Sequence, residues 1–195
     1  IPDNVTKIEG NAFNNNLLTS VTIPDSVTTI EGWAFYKNKL TSVSLPNSLE
    51  AVDRYAFSNN LLTSLVLPNS VTSIGQSAFG NNSLTSVTLS NSLETITDNA
   101  FQSNDITSLT IPSSVKYIGP YAFFQNEIST VSLFNGLLTI GDGAFYYNSI
   151  TNLVVPNTVT DIGGYAFSEN PIATLQLSNS LENIGYGAFF LNELS

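Results

Sequence analysis

The amino-acid sequence predicts a β-rich repeat solenoid, and three observations carry that prediction. One 22-residue unit recurs without a gap from Ile1, with eight full copies and a partial ninth starting at Ile1, Ile23, Leu45, Leu67, Leu89, Ile111, Leu133, Val155 and Leu177. Seven positions of the unit are almost always apolar, as in Leu67, Val71, Ile74, Ala78, Phe79, Leu84 and Val87. Between them, short polar–apolar alternations rich in β-branched residues have the period of a half-buried strand. A unit this short cannot bury its own apolar face. Stacked copies bury it against their neighbours, which makes one continuous core. Residues 1–195 are therefore expected to form a single solenoid, with no linker, composition shift or charge run dividing it.

Each element of the unit follows from its residues. In Ser20–Ile23 the alternation turns Val21 and Ile23 inward and Ser20 and Thr22 outward. Pro24 lacks an amide donor and ends that strand. A second extended stretch is expected over Val27–Ile30, followed by a turn at Glu31-Gly32. The segment Trp33–Tyr36 is predicted to make a short helical or 3-10 turn that drops Ala34 and Phe35 into the core. Parallel pairing between units at ~4.8 Å would extend the first strand into a sheet running the length of the stack.

Composition removes whole classes of chemistry. The chain has no Cys, His or Met, and only 10% of its residues are charged. It therefore holds no disulfide, thiolate nucleophile, histidine-based triad or ordinary zinc site. Five basic against fifteen acidic residues, a net charge of −10, provide no patch to neutralise nucleic-acid phosphates. No apolar run approaches the ~20 residues of a membrane-spanning helix. Nothing assembles a nucleophile, base and oxyanion site, so neither an enzyme nor a cofactor is expected. Ile1 is neither an initiator Met nor the start of a signal peptide, so the chain is expected to be a piece of a longer protein.

The stretch Leu40-Thr-Ser-Val43-Ser-Leu45-Pro46 resembles the L-x-x-L-x-L core of leucine-rich repeats. The added Ile-Pro-x-x-Val-x-x-Ile and the invariant Ala-Phe-x-x-Asn are similar to the BspA-like class of bacterial leucine-rich repeats, and this holds over all nine units. Here Asn38 stands two residues before Leu40, one fewer than is usual in that class. The resemblance implies a right-handed leucine-rich-repeat coil with its parallel sheet on the concave face. It also implies a place on a bacterial cell surface or outside the cell. The associated role is adhesion to host matrix proteins, to another cell-surface protein or to a second copy of the chain. It implies no catalytic residue.

The residues outside the core register are where function is sought. An asparagine recurs in every unit, at Asn16, Asn38, Asn60, Asn82, Asn104, Asn126, Asn148, Asn170 and Asn192. With one acceptor and two donors it is read as a structural ladder satisfying backbone groups in a dry turn. The outward strand positions form two columns rich in Ser and Thr. These suit a solvent-facing strand, an extended ligand or, remotely, an ice lattice. Ice binding favours uniform Thr, whereas these columns mix Ser, Val, Asn and Gln.

Nine Phe occupy the invariant position, which leaves three Phe, eight Tyr and one Trp elsewhere. Most of these twelve lie in the C-terminal half. Tyr121, Phe124, Tyr146, Tyr147, Tyr165 and Phe190 are expected to align along the turn before the asparagine. There they would either bind a partner or shield the edge of the core. Phe134 replaces a Pro at the end of a first strand, near Val154, and is a separate candidate contact. The pairs Asp3/Asp25 and Glu9/Glu31 fall at matching positions of adjacent coils. They are read as solvated charges rather than as a glycosidase pair or a Ca²⁺ site.

The expectation is therefore a binding or adhesion segment presenting an extended surface to a protein or glycan. The alternative is a structural spacer whose uncapped ends stack on one another.

Overall fold

The computed structural model describes residues 1–195 and builds each unit as one coil carrying two short strands. The first-strand column contains β4 (Ser64–Val66), β6 (Ser86–Thr88), β8 (Ser108–Thr110), β10 (Thr130–Ser132), β12 (Asn152–Val154) and β14 (Thr174–Gln176). The second contains β1 (Lys7–Ile8), β2 (Thr29–Ile30), β3 (Ala51–Val52), β5 (Ser73–Ile74), β7 (Thr95–Ile96), β9 (Tyr117–Ile118), β11 (Thr139–Ile140), β13 (Asp161–Ile162) and β15 (Asn183–Ile184). All pairing is parallel and in register from one unit to the next, as in Ile118 opposite Ile140 and Leu65 opposite Val87. Of 101 backbone hydrogen bonds only 13 fall within the strands. The turns and connections therefore carry most of the backbone pairing.

The core is a single cluster running through all the coils. At its centre the invariant phenylalanines form one file of stacked rings from Phe13 to Phe189. Successive centroids are 5.1 to 5.7 Å apart and interplanar angles do not exceed 12°. Beside each ring lies an asparagine. Asn104 accepts the N–H of Leu84 through Oδ1 at 3.0 Å, and its Nδ2 donates to the carbonyls of Phe79 and Phe101, both at 3.1 Å. The same bracket recurs at Asn38, Asn60, Asn126, Asn148 and Asn170. Asn16, in the first coil, donates only to Phe13 and Asn14 of its own turn.

Two expectations are corrected. The segment before each asparagine is neither helical nor 3-10. It is a pair of i→i−3 turns, as in Ala34 N–H to Glu31 and Tyr36 N–H to Trp33. A helix would satisfy every amide within its own segment. Here alternate amides reach the next coil instead: Trp33 to Arg54, Phe35 to Ala56 and Lys37 to Ser58. The residues before Ala and before Asn accordingly sit in the left-handed region in all nine coils, with φ between 51° and 63°.

The first-strand column is also not one continuous sheet. It is a series of two-stranded pairs, β4–β6, β8–β10 and β12–β14. The second column breaks once, between β5 and β7, where the Thr97 hydroxyl rather than a backbone amide bonds the Ile74 carbonyl. Most coils have Gly at the Thr97 position. Gly141 shows why: a Cβ there would lie 2.8 to 2.9 Å from backbone atoms of Ile118, Gly119 and Pro120.

The pairwise grouping matches an alternation in the core. At the first-strand centre Val43, Leu65, Val87, Leu109, Val131 and Leu153 alternate, and six residues later Leu49, Val71, Leu93, Val115, Leu137 and Val159 alternate in the opposite phase. Every such coil holds one Leu and one Val, so core volume is conserved. The bulk shifts from one side to the other on successive coils, the large-on-small interdigitation that close packing favours. The Leu centres are buried, with Leu65, Leu109 and Leu153 at most 3% exposed. Val43, Val87 and Val131 are only partly buried.

Phe101, fully buried between Phe79 and Phe123, sets a direct test of the file. Phe101→Ala is expected to cost ~3–5 kcal/mol in urea denaturation, and a loss below ~1 kcal/mol would contradict its place in the core. Asn104→Ala strands the buried Leu84 amide, at a penalty of ~1–3 kcal/mol, and removes one of the two hydrogen bonds at each of the Phe79 and Phe101 carbonyls, which Asn82 and Asn126 still engage, at ~0.5–1.5 kcal/mol each. It should therefore destabilise by more than ~2 kcal/mol despite leaving the apolar core intact. A neutral result in the same titration would refute the bracket.

Candidate functional site

The turns before the asparagines bring four of the expected aromatics together. The Tyr121 and Phe124 rings meet edge to face at 5.7 Å, Phe124 stacks on Tyr146 at 5.3 Å, and Tyr147 meets Tyr146 edge to face at 6.4 Å. Tyr147 is 54% and Tyr121 39% exposed. The cluster thus offers open aromatic faces with phenolic tips, a surface suited to a planar or amphipathic partner. The Tyr146 hydroxyl donates to Glu169 Oε1 at 3.0 Å. That bond, with some desolvation, holds its pKa above the ordinary phenol value.

Two of the four rings stand on strained backbone. Tyr121 and Tyr147 have φ of 55° and 59°, a region that costs a bulky residue ~1 kcal/mol or more. Tyr121 is accommodated because the next coil places Gly143 under its ring, where a Cβ would lie 2.5 Å from the ring edge. Tyr165 covers Gly187 in the same way. It belongs to a second group, meeting Tyr186 at 5.4 Å, and its hydroxyl pKa is raised by burial and then by Tyr186. Phe190 is exposed in the last turn and makes no ring pair with the cluster. Phe134 lies elsewhere, lining a first-strand cleft with Val154 and Gln176. The expected turn aromatics thus fall into two groups with Phe190 apart, and Phe134 stands separately on the first-strand face.

The family model for the BspA type leucine rich repeat region matches six copies, over residues 1–107 and 94–195. The chain belongs to this family. Among solved structures, the pneumococcal vaccine antigen PcpA is similar at 25% identity and TM-score 0.73, covering 98% of this chain and 57% of that one. A leucine-rich repeat protein from Bacteroides ovatus is 23% identical with TM-score 0.68, over 95% and 56% of the two chains. A leucine rich cell surface protein from Faecalibacterium prausnitzii is 22% identical with TM-score 0.52, over 95% and 68%. The chain thus spans a little over half the length of the first two. A search of curated proteins gave no match.

A further aromatic group in this BspA-type chain occupies the repeat positions of Tyr121 and Phe124, and only its cationic cap was not foreseen from the residues. Trp33 stacks on Tyr55 at 5.5 Å, Tyr36 meets Tyr55 edge to face, and the Arg54 guanidinium lies 4.4 Å from the Trp33 centroid. The signal was present: Arg54 occupies the position before the aromatic one in the adjacent coil, directly over the indole face. A cation–π cap of this kind stabilises an exposed stack by ~0.5–1 kcal/mol. No group of three or more Asp or Glu side chains converges as a metal site. No helix is long and apolar enough to cross a membrane.

The Glu9/Glu31 pair is bridged rather than merely solvated. Lys7 Nζ lies 2.6 Å from Glu31 and 3.4 Å from Glu9, and Glu31 also accepts the Gly10 amide at 2.9 Å. The Lys7 contact first, then the Gly10 amide, lowers the Glu31 pKa to about 2 from 4.5. A carboxylate whose folded pKa is depressed stabilises the fold above its unfolded pKa and loses that effect as pH falls. The stability difference between the native chain and Glu31→Gln should therefore be fully present above pH 4.5 and vanish on acidification to about pH 2. Denaturation midpoints at several pH values measure it.

Proposed function

We propose that this chain is the ligand-presenting segment of a bacterial surface or secreted protein, acting by adhesive recognition of a protein or glycan rather than by catalysis. The observation that carries this reading is the Tyr121–Phe124–Tyr146–Tyr147 cluster. Its rings are more than the core needs: the buried phenylalanine file is already continuous beneath them. Two are held on backbone that Asn or Gly would adopt at lower cost. Tyrosine gives large contact area with only two side-chain torsions to freeze, which favours its use in recognition. A rigid stack of similar coils adds avidity when the partner also repeats. The surface placement draws on the resemblance to PcpA, a vaccine antigen, and to the Faecalibacterium cell surface protein.

Binding to arrays of matrix proteins and glycans, followed by surface plasmon resonance, tests this. The Tyr121→Ala/Phe124→Ala/Tyr146→Ala variant should weaken the strongest ligand by at least ~10-fold, the loss of one aromatic hot spot of ~2 kcal/mol, with circular dichroism unchanged. Retained affinity in a folded variant would remove the cluster from the binding surface.

A further inference from the structure

The interruptions in the first-strand column open three equivalent clefts, one at every second coil junction. Where strands pair, the amides of Leu67, Ile111 and Val155 donate to Thr88, Ser132 and Gln176 at 2.8 to 3.0 Å. At the intervening junctions the corresponding amides of Leu45, Leu89 and Leu133 make no hydrogen bond within the chain. From Thr63 onward the start of the strand alternates in the same phase, whereas the Thr41 to Thr19 bond before it is 3.3 Å. Thr85 to Thr63, Ser129 to Thr107 and Ala173 to Thr151 are 2.9 Å bonds, whereas Thr63 to Thr41 and Thr107 to Thr85 stretch to 3.3 and 3.4 Å.

A third feature follows the same rhythm. Asn69 and Asn157 each use Oδ1 to accept the amide of the residue one unit on, Asn91 and Asn179, across a closed junction. Asn47, Asn91 and Asn135, at the lips of the clefts, are exposed, and no bond within the chain engages their side-chain amides. Each cleft therefore presents a free primary amide, an unbonded Leu amide, and an apolar floor of Leu45, Leu89 or Leu133. Pro68, Pro112 and Pro156 form the opposite lips. The volumes are about 300, 370 and 270 Å³, and no charged side chain lines any of them. Phe134 adds an exposed ring to the third, and Ser86, Thr88, Ser108 and Thr110 add hydroxyls to the second.

We propose that these three clefts are subsites for one neutral, linear β-1,4-linked glycan lying across the strand column. The proposal rests on the recognition role above and names its ligand class and site. The clefts recur every two strand spacings of ~4.8 Å, or about 10 Å. An extended β-1,4 chain turns each sugar over relative to the last, so the same edge recurs at every second sugar on a comparable interval. Uncharged lining and a chain charge of −10 select against anionic polysaccharides. Apolar floors suit the C–H faces of the rings, while free amides and hydroxyls pair with hydroxyl and acetamido groups. An added peptide strand would need a continuous edge of donors and acceptors, whereas each cleft offers an isolated set.

Calorimetric titration with cellohexaose, chitohexaose, their disaccharides, a hyaluronan hexasaccharide and an extended polar peptide decides the matter. At least one neutral hexasaccharide should bind at least ~10-fold more tightly than its disaccharide, because it bridges subsites, and the anionic chain should not bind. Asn47→Ala/Asn91→Ala/Asn135→Ala, at exposed positions free of internal bonds, should lower the hexasaccharide affinity by at least ~10-fold through that same lost bridging. The bulkier Val66→Glu/Thr110→Glu/Val154→Glu, at exposed lip positions, should abolish it. No neutral hexasaccharide binding, preference for the peptide, or unchanged affinity in both folded variants overturns the proposal. Sensitivity to the Tyr121/Phe124/Tyr146 variant alone would leave the recognition role standing and remove the clefts from it. Binding to nothing on either this panel or the matrix arrays would overturn both.

Discussion

The asparagine bracket sets the geometry on which the other features depend. One side chain couples a peptide amide of the preceding coil, the phenylalanine carbonyl of that coil and the phenylalanine carbonyl of its own, all within about 3 Å. The buried amide has no other partner, and each phenylalanine carbonyl is shared by the asparagines of two successive coils, so the burial of these groups depends on the whole ladder of brackets. By joining equivalent carbonyls of neighbouring coils it also fixes the step between them at the point where the aromatic rings stack. The rings then keep centroid separations of 5.1 to 5.7 Å, somewhat more than a strand spacing. Strand pairing elsewhere in the coil has to accommodate that step.

That accommodation explains why the two strand columns differ. The second column lies close to the bracketed turn and packs so tightly that glycine is needed at positions such as Gly141. Its ladder breaks only once. In the first column, Leu and Val exchange sides of the core on alternate coils. Their bulk differs by one methylene, enough to be felt in a close-packed interior. The column responds by closing one junction and opening the next, so two coils rather than one form its structural repeat. An ice-like lattice needs a uniform grid, and this face has clefts at every second step.

Much of the architecture was readable from residue identity because the period, the seven apolar positions, Ala-Phe and Asn each report a local requirement repeated nine times. Val21 and Thr22 reveal the strand period, and Pro24 its end. The turn was misjudged because Trp33–Tyr36 has no residue signature for left-handed backbone. Asn11, Asn99, Gly143 and Gly187 at the same position as Trp33 were the available hint, since Asn and Gly enter that region most readily. The two-coil rhythm was also written in the chain, as Val43, Leu65, Val87 and Leu109. A one-unit comparison treats Val and Leu as equivalent apolar residues and hides it. The groupings of Tyr121 with Phe124 and of Trp33 with Arg54 depend on ring orientation and on which coil lies above. Spacing alone does not supply these.

The strained aromatics connect the fold to its use. A turn that sends alternate amides to the next coil demands left-handed residues at two fixed positions, and Asn or Gly meets that demand at least cost. Where Tyr121 and Tyr147 stand instead, the backbone penalty is set against what the rings contribute. Part of that return is packing, since Tyr121 fills the space over Gly143. Tyr147, more than half exposed and touching Tyr146 only edge to face, recovers little from packing within the chain. The same turn that the bracket imposes as a structural necessity thus becomes a pedestal. It projects rings outward at a fixed height from one coil to the next, and a rigid array of that kind loses little entropy when a partner settles on it.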